Sequence, residues 1–299
     1  MHYHQPVMLT QCVEALQIQS KKIYVDLTFG GGGHSKEILA QNADIQLFGF
    51  DQDADAQEES LKIDSTNFLF IKANFRNFRE SLQEKGIEKV DGILADLGIS
   101  SHQIDEGSRG FSTRFDGELD MRMDKTQEFS AKDLINTYSE KDLHKIFGLY
   151  GEIKNAKTFA QAVVSQRAKK AFQTTTDLKE LANKFAPKRQ EFKYQAQLFQ
   201  AIRIAVNDEL KALEEMLLAV PESLNPQGRL VIMSYHSLED RLVKNIISTG
   251  KLHGDAEKDF YGNNLKPLQA IGKMTLATAE EIEKNPRARS AKLRIAEKK

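Results

Sequence analysis

The fold is decided by one stretch of sequence, Val25-Asp26-Leu27-Thr28-Phe29-Gly30-Gly31-Gly32-Gly33-His34. The β-branched run over residues 23–27 predicts a short strand that ends at the glycines, and residues 34–40 predict a helix. Glycines directly after a strand let the backbone approach a ligand closely, and the following helix offers free N–H groups and the positive end of its dipole. The alternative interpretation is a flexible tight turn beside a surface Asp.

More apolar runs follow in the first hundred residues, over 45–50, 67–71 and 90–95, and two of them end at Asp51 and Asp96. Near-continuous apolar strands separated by helical stretches are typical of a parallel sheet buried on both faces. A fifth strand is predicted at 229–234, before a helix at 238–247, and two weaker strands near 271–276 and 291–296. The sequence therefore predicts a doubly wound, Rossmann-like α/β fold.

The alternation of strands and helices stops between about residues 104 and 204, where the sequence predicts several helix N-termini and no strand. Ser130, Ser139 and Asp177 each precede an acidic residue by three positions, as in a capping box. The prediction is an all-helical insert over 104–204 that divides the sheet domain into 1–103 and 205–299. A long helix with one apolar stripe, from Leu198 to Leu217, is predicted to follow and to close at Pro221.

The composition is ordinary for a globular protein, with 40% hydrophobic and 28% charged residues among 299 and a net charge of -1. Any nucleic-acid surface must therefore be local. The single cysteine, Cys12, excludes an intramolecular disulfide and a thiolate metal cluster, and it fits a reducing cytoplasm. The histidines share no metal spacing, so no metal site is expected. No apolar run approaches the about 18 residues of a membrane helix, and the N-terminus lacks a signal-peptide pattern.

The glycine loop does not match a dinucleotide fingerprint, because its third glycine is replaced by Ser35 or Lys36 in the two possible registers. Asp26 would also face a pyrophosphate unfavourably. S-adenosylmethionine, which carries a sulfonium and an ammonium, suits acidic strand ends better. Asp51 stands where an acidic side chain meets ribose hydroxyls. A methyltransferase is therefore favoured over a nicotinamide-dependent dehydrogenase.

A second site is predicted at Asp96-Leu97-Gly98-Ile99, because the functional crevice of such a sheet lies at the carboxyl ends of its strands. Methyltransferases of exocyclic amines carry a polar residue here, usually followed by two prolines and an aromatic that stacks on the extruded base. Asp96 supplies the polar group, so a stacking aromatic must come from elsewhere. The candidates are Phe111, Phe115 and Tyr235. The alternative makes Asp96 a helix cap with Ser100 and Ser101.

Two segments are locally basic. Residues 157–203 contain ten Lys and Arg against three Asp and Glu, and residues 284–299 contain seven against one. The first segment is interleaved with Phe172, Phe185, Phe192 and Tyr194. Basic stripes with aromatics suit phosphate contact and base stacking, whereas the alternative is a solvated helix face over core aromatics.

Several separated motifs resemble one known family. They are His4-x-Pro6-Val7, Asp26-x-Thr28-x-Gly30-x-Gly32-Gly33-His34-Ser35, Asp96-Leu97-Gly98-Ile99-Ser100-Ser101-x-Gln103, Arg109-Gly110-Phe111-Ser112, Leu119-Asp120-Met121-Arg122-Met123, Ser234-Tyr235-His236-Ser237-Leu238-Glu239-Asp240-Arg241 and Asn285-Pro286-Arg287-Ala288-Arg289-Ser290. Together they resemble the bacterial 16S ribosomal RNA cytosine-N4 methyltransferase family, over essentially the whole chain.

The resemblance implies S-adenosylmethionine as donor, N4 of one decoding-site cytosine as acceptor, and a class I methyltransferase domain interrupted by a helical domain that recognises RNA. The implied cofactor contacts are Gly32, Gly33, His34, Asp51, Phe75, Asp96 and Gln103. The predicted substrate-binding residues are Arg109, Arg122, Arg241 and Arg287. The expected partner is 16S rRNA within a small ribosomal subunit particle.

Two alternatives stay open at this point. His236 is a second catalytic candidate that orients the base or relays a proton, or else a partly buried hydrogen-bonding histidine, while Glu239 and Arg241 would pair on a helix surface. The whole chain is alternatively a non-catalytic RNA-binding protein of ribosome assembly with a vestigial cofactor fold. Asp51 and Asp96 argue against that alternative, because catalysis needs them and RNA affinity does not.

Overall fold

A computed structural model describes residues 6–299. The chain forms two compact units: one combines the residues up to Gly98 with Leu210–Lys299, and the other covers Ile99–Glu209. The second unit begins earlier and ends later than the insert predicted from the sequence. The motif residue His4 lies outside the described residues.

The first unit contains a sheet of eight strands in its described residues. They are β1 (Ile23–Asp26), β2 (Gln46–Asp51), β3 (Phe68–Lys72), β4 (Val90–Asp96), β5 (Leu224–Ser234), β6 (Leu268–Ala270), β7 (Thr275–Leu276) and β8 (Lys292–Lys298). Their order is β3-β2-β1-β4-β5-β8-β6, with β7 also paired to β8. The first five strands are parallel, and β8 runs antiparallel to its neighbours.

This topology confirms the predicted doubly wound α/β fold, because the chain winds outward from β1 to β3 and then returns through β4 to the other side. The first four predicted strands and the fifth are confirmed. The weak strand predicted at 271–276 is confirmed only at its end, in β7: Gly272 has a φ of 70°, and the chain turns there between β6 and β7.

Helices cover both faces of the sheet. The first unit contains α1 (Leu9–Leu16), α2 (Gly33–Gln41), α3 (Ala54–Ser60), α4 (Phe78–Gln83), α12 (Ser237–Thr249), α13 (Ala279–Lys284) and most of α11 (Glu209–Ser223). One buried cluster joins α4, α11 and α12 to the sheet through residues such as Phe78, Leu213 and Leu242. Another joins α1 and α2 to the opposite face through Leu16 and Ile38. Burial on both faces explains why the strands read as continuous apolar runs.

The second unit is built from helices, apart from an isolated bridge between Glu118 and Thr174. The helices are α5 (Ser101–Asp105), α6 (Ala131–Thr137), α7 (Glu140–Leu149), α8 (Ala156–Arg167), α9 (Thr175–Phe185) and α10 (Glu191–Asn207). Ser130 and Ser139 cap α6 and α7 as predicted. The cap predicted at Asp177 is wrong: Thr174 caps α9, and Asp177 is the third helical residue, whose side chain completes the box.

The single long helix predicted through Leu198 and Leu217 is also wrong. Helix α10 ends at Asn207, Asp208 adopts the left-handed conformation at a φ of 51°, and α11 then begins at Glu209. Pro221 lies inside α11 instead of ending it. None of the described helices is long and apolar enough to cross a membrane.

Candidate active site

Three strands end in carboxylates at one edge of the sheet: Asp26 on β1, Asp51 on β2 and Asp96 on β4. Strand β1 lies between the other two, so the three carboxylates belong to adjacent strands. Burial raises the pKa of each to about 6. None of the three forms an ion pair with a Lys, Arg or His among residues 6–299, so this edge carries uncompensated negative charge.

Asp26 organises the loop from within. It is 1% exposed, its Oδ2 accepts a hydrogen bond from the Ser35 hydroxyl at 2.7 Å, and its Oδ1 accepts one from the Thr28 amide at 3.2 Å. The carboxylate therefore ties the end of β1 to the first turn of α2. Its charge acts on a neighbouring ligand through the local field, since the side chain is covered.

Asp51 holds the glycine loop from the neighbouring strand. Its Oδ2 accepts the Gly30 amide at 2.8 Å and its Oδ1 accepts the Asp53 amide at 2.9 Å. Both oxygens keep further acceptor capacity, because a carboxylate offers about four lone-pair sites. The geometry fits a carboxylate that is fixed by the loop before it meets the ribose hydroxyls of a cofactor.

Packing within the protein also requires glycine at two positions of the loop. Gly32 has a φ of 73°, and a Cβ built there would lie 2.6 Å from Cζ of Phe29. A Cβ on Gly33 would lie 2.2 Å from Cγ of Pro6. Close packing of the loop against its own protein therefore requires glycine at both positions, in addition to any approach of a ligand.

His34, the next predicted cofactor contact, is buried in the first turn of α2. Its Nε2 lies 3.2 Å from the Val7 carbonyl, which only accepts, so we assign the ring proton to Nε2. Burial lowers the pKa of His34, while the charge of Asp96 opposes that shift. The ring is therefore a neutral, fixed part of the edge.

Among the three carboxylates at this edge, Asp96 alone has an oxygen that accepts no hydrogen bond from the described residues. Its amide donates to the Thr28 hydroxyl at 2.6 Å, and its Oδ1 accepts the Tyr235 hydroxyl at 2.7 Å. Its Oδ2 accepts no hydrogen bond from residues 6–299. The alternative in which Asp96 caps a helix is wrong, because Ser100 and Gln103 form the capping box of α5.

Tyr235 and His236 lie between β5 and α12, where Glu239 holds them. The Oε2 atom of Glu239 accepts the amide of Tyr235 at 2.9 Å and that of His236 at 3.3 Å. The His236 ring caps α12 through Nδ1, and its Nε2 lies 3.1 Å from Oε1 of Glu239. Nδ1 of His236 matches the hydrogen-bonding alternative, whereas Nε2 is buried without a hydrogen bond from the described residues, and the catalytic role of the ring stays a prediction. Glu239 is 4% exposed, so it is not the helix-surface residue expected from the sequence.

Phe75, the predicted apolar wall for adenine, follows β3 as the first residue of a 3-10 helix, Phe75–Asn77, and is half-buried against the core. The predicted substrate-binding residues of this unit differ in exposure. Arg241 on α12 is exposed, while Arg287 is half-buried in the 3-10 helix Pro286–Ser290. Their binding roles stay predictions.

Gln103, Arg109 and Arg122 belong to the second unit, where the structure gives each an internal partner. Gln103 is the buried member of the α5 capping box. Arg109 is 3% exposed and donates to the carbonyls of Arg122 at 2.9 Å and Met123 at 3.1 Å. Arg122 forms a two-point ion pair with Asp120 at 2.6 and 3.0 Å. These contacts shape a loop, and direct binding of cofactor or substrate by the three side chains stays a prediction.

Most aromatic candidates are core residues. Phe172 and Tyr194 are buried, and Phe185 packs against the same core, which supports the core alternative for the basic segment. Phe192 is 86% exposed. Among the base-stacking candidates, Phe111 is buried and Phe115 is 46% exposed.

Thr28 and Glu239 are the site residues that sequence reasoning did not select, and Tyr235 was considered only as a stacking ring. Thr28 was already present in the loop motif, two residues after Asp26. The hydrogen bond between Tyr235 and Asp96 joins residues 139 positions apart, so only the pairing of β4 with β5 reveals it.

The model of the MraW methylase family matches residues 1–299. The chain belongs to this family. It is 54% identical over 296 residues to a ribosomal RNA small subunit methyltransferase H of Cytophaga hutchinsonii, covering 99% of both chains. It is 50% identical over 299 residues to the protein of the same name in Flavobacterium johnsoniae, covering 100% of this chain and 98% of the relative. A solved rRNA methylase of Streptococcus thermophilus is 14% identical, at a TM-score of 0.39 over 100% of this chain and 98% of its own.

Membership of the MraW methylase family makes the chain a methyltransferase, and its cofactor is S-adenosylmethionine, as predicted. The acidic edge fits that cofactor, because one buried and two half-buried carboxylates, without a cationic partner among residues 6–299, match a sulfonium and an ammonium. When bound, the cofactor supplies an electrophilic methyl group on a positively charged sulfur. Asp51 and the glycine loop would hold it, as the sequence predicts.

Proposed function

We propose that this chain transfers a methyl group from S-adenosylmethionine to the exocyclic N4 amine of one cytosine in the decoding region of 16S rRNA. The names of the relatives support an rRNA of the small subunit as substrate. The observation that carries the chemistry is Asp96, whose Oδ1 is engaged by Tyr235 while Oδ2 accepts no hydrogen bond from the described residues.

A carboxylate oxygen at this position suits an exocyclic amine. It accepts one N–H of the amine and so directs the nitrogen lone pair away from itself, toward the methyl carbon. Attack by N4 forms the nitrogen–carbon bond as the sulfur–carbon bond breaks, and the electron pair stays on sulfur. The nitrogen becomes positively charged, so the Asp96 carboxylate stabilises the transition state more than the ground state.

The proton leaves the nitrogen only after methylation has made it acidic, so no strong base is required. Asp96 or a water molecule accepts it. The proposed reaction therefore does not depend on a base at His236, whose Nδ1 caps α12.

The second unit is the proposed RNA-recognition domain. Its basic segment presents Lys169, Lys188 and Arg189 as exposed side chains. Because the whole chain carries a net charge of -1, this local charge would draw the phosphate backbone without general affinity for nucleic acid. A folded small-subunit particle is the proposed substrate form, and the target base must leave any stack it occupies before its amine can react.

The test is mass spectrometry of 16S rRNA from cells with and without this protein. The expected result is the loss of one methyl group from N4 of a single decoding-region cytosine, restored by the intact gene. Purified protein should then methylate small-subunit particles lacking the mark faster than protein-free 16S rRNA. An unchanged methylation pattern in the deletion strain would refute the proposal.

The alternative function, a non-catalytic RNA-binding protein of ribosome assembly, makes a separable prediction. An Asp96→Asn protein would then restore any assembly defect of the deletion strain as fully as the wild type, and the deletion would leave rRNA methylation unchanged. The free Oδ2 atom of Asp96 favours the enzyme, because RNA affinity alone does not call for a half-buried carboxylate beside the cofactor loop.

A further inference from the structure

We propose that Tyr235 is a positioning residue for methyl transfer, whose phenol holds Oδ1 of Asp96 and so presents Oδ2 to the target amine. This inference rests on the proposed function and names a residue that acts through Asp96. The contact is a hydroxyl-to-carboxylate hydrogen bond of 2.7 Å, within the range of charge-assisted bonds.

The phenol is itself fixed at several points. Its backbone amide donates to Glu239 at 2.9 Å, and Glu239 is buried in the first turn of α12. Its ring packs against the buried cluster that joins α1 and α2 to the sheet, and its hydroxyl is bound to Asp96. Packing of the ring and the bond at its hydroxyl together restrain the carboxylate.

The hydrogen bond from Tyr235 also affects the ionisation of the Asp96 carboxyl. Tyr235 favours the ionised carboxylate and opposes the rise in pKa that burial causes. In return, burial and the charge of Asp96 raise the pKa of Tyr235 well above its ordinary value. The phenol thus stays protonated over the pH range in which Asp96 titrates and can donate to the carboxylate throughout it.

The other groups that face Asp96 do not replace this donor. His34 on α2 would favour the ionised form only when its ring is protonated, which burial opposes, and Asp26 and Glu239 disfavour it. The Thr28 hydroxyl contacts the backbone amide of Asp96, not the carboxylate. Tyr235 is accordingly the one side chain among residues 6–299 that donates a hydrogen bond to the Asp96 carboxylate.

The test is Tyr235→Phe, with Tyr24→Phe as the matched control. Tyr24 is also buried in the first unit, but its hydroxyl contacts the backbone of Gln17 and Gln19, away from the acidic edge. In the full-length protein, a carbon-13 titration of the aspartate carboxyls, assigned with Asp96→Asn, should show the pKa of Asp96 raised by about one unit in Tyr235→Phe and unchanged in Tyr24→Phe.

Methyl transfer to small-subunit particles gives the second readout. We expect kcat of Tyr235→Phe to fall roughly 10- to 100-fold, with the acid limb of its pH profile moved upward, while KM for the particle and the Kd of S-adenosylmethionine stay within twofold. Incorporation of 3-fluorotyrosine at position 235 should move the acid limb downward without changing the fold, because the more acidic phenol is a stronger donor.

An unchanged Asp96 pKa, or a kcat within twofold of the wild type, would overturn the role of Tyr235. If Tyr235→Phe does not fold, the fluorotyrosine protein decides in its place. If the wild-type protein transfers no methyl group to the particle, the proposed function fails, while the titration still decides whether Tyr235 controls Asp96.

Discussion

At the scale of single residues, three aspartates at equivalent strand ends differ in what meets their oxygens. Asp26 is bound by a hydroxyl and an amide, Asp51 by two amides, and Asp96 by one phenol. The apolar runs of the sequence predicted where each carboxylate would lie. They did not distinguish the three roles, because the partners come from distant parts of the chain.

Asp96→Asn is the direct test of the chemistry. The amide keeps the shape and one acceptor oxygen for Tyr235, but it loses the negative charge that stabilises the methylated nitrogen. We expect single-turnover methyl transfer, with saturating cofactor and small-subunit particles, to slow by about 10²–10³. Cofactor affinity should fall less than the rate.

Asp91→Asn is the control, because Asp91 is on the same strand and binds Lys22 and Asn225 instead. It should affect stability and leave the rate of transfer unchanged. An Asp96→Asn rate within threefold of the wild type would contradict a catalytic role.

At the scale of elements, the sequence predicted the parallel strands well and the helix boundaries less well. Strand ends were visible because glycines or carboxylates interrupt buried runs. The break at Asp208 was invisible because the apolar stripe continues through it, from Val206 to Leu213, and burial does not depend on the conformation of one exposed residue between them. Likewise, the spacing of a capping box fits both Thr174–Asp177 and Asp177–Glu180, and only the backbone distinguishes them.

Because Asp208 is left-handed, we expect glycine to be more stable than alanine at position 208, the reverse of their order inside a helix. A left-handed residue favours glycine over alanine by about 1 kcal/mol, whereas a helix interior favours alanine by a similar amount. Asp208→Gly should therefore be more stable than Asp208→Ala in urea unfolding. At Ala196, exposed in the middle of α10, Ala196→Gly should instead destabilise by about 1 kcal/mol. Greater stability of Asp208→Ala than Asp208→Gly would mean that α10 and α11 form one continuous helix.

At the scale of the whole molecule, a net charge of -1 conceals strong local differences. The acidic edge of the sheet suits a cationic cofactor, and the basic segment over residues 157–203 suits RNA phosphates. The overall composition therefore predicted neither site: the acidic edge was predicted from carboxylates at strand ends, and the basic segment from its local charge count.

The proposed RNA surface can be tested with two charge reversals of equal size. Lys169→Glu with Lys188→Glu removes exposed charge from the basic segment, and Lys141→Glu with Lys145→Glu removes it from α7 in the same unit. We expect only the first pair to weaken binding to the small-subunit particle and to lower the salt slope by about 0.7–0.9 per lost phosphate contact. Cofactor affinity should survive in both. Equal salt slopes for the two charge-reversal variants would show that the basic segment is an ordinary solvated surface.

The acidic edge also predicts how stability depends on pH. The folded pKa of Asp96, about 6, lies above its ordinary value of 3.8, so the folded state binds the proton more tightly than the unfolded state. The stability that this group contributes is present below about pH 4 and is lost as pH rises through 6. Removing the charge with Asp96→Asn should therefore stabilise the cofactor-free protein by up to about 3 kcal/mol at pH 7.5 and by roughly a third of that amount at pH 4.5. Urea unfolding of both proteins across this range measures the effect of the Asp96 charge, including its influence on the pKa of His34. S-adenosylmethionine should reduce the stability difference between Asp96→Asn and the wild type at pH 7.5, since its cationic groups favour the wild-type carboxylate. An equal difference in the free energy of unfolding between the two proteins at both pH values would show that the charge of Asp96 does not destabilise the folded protein.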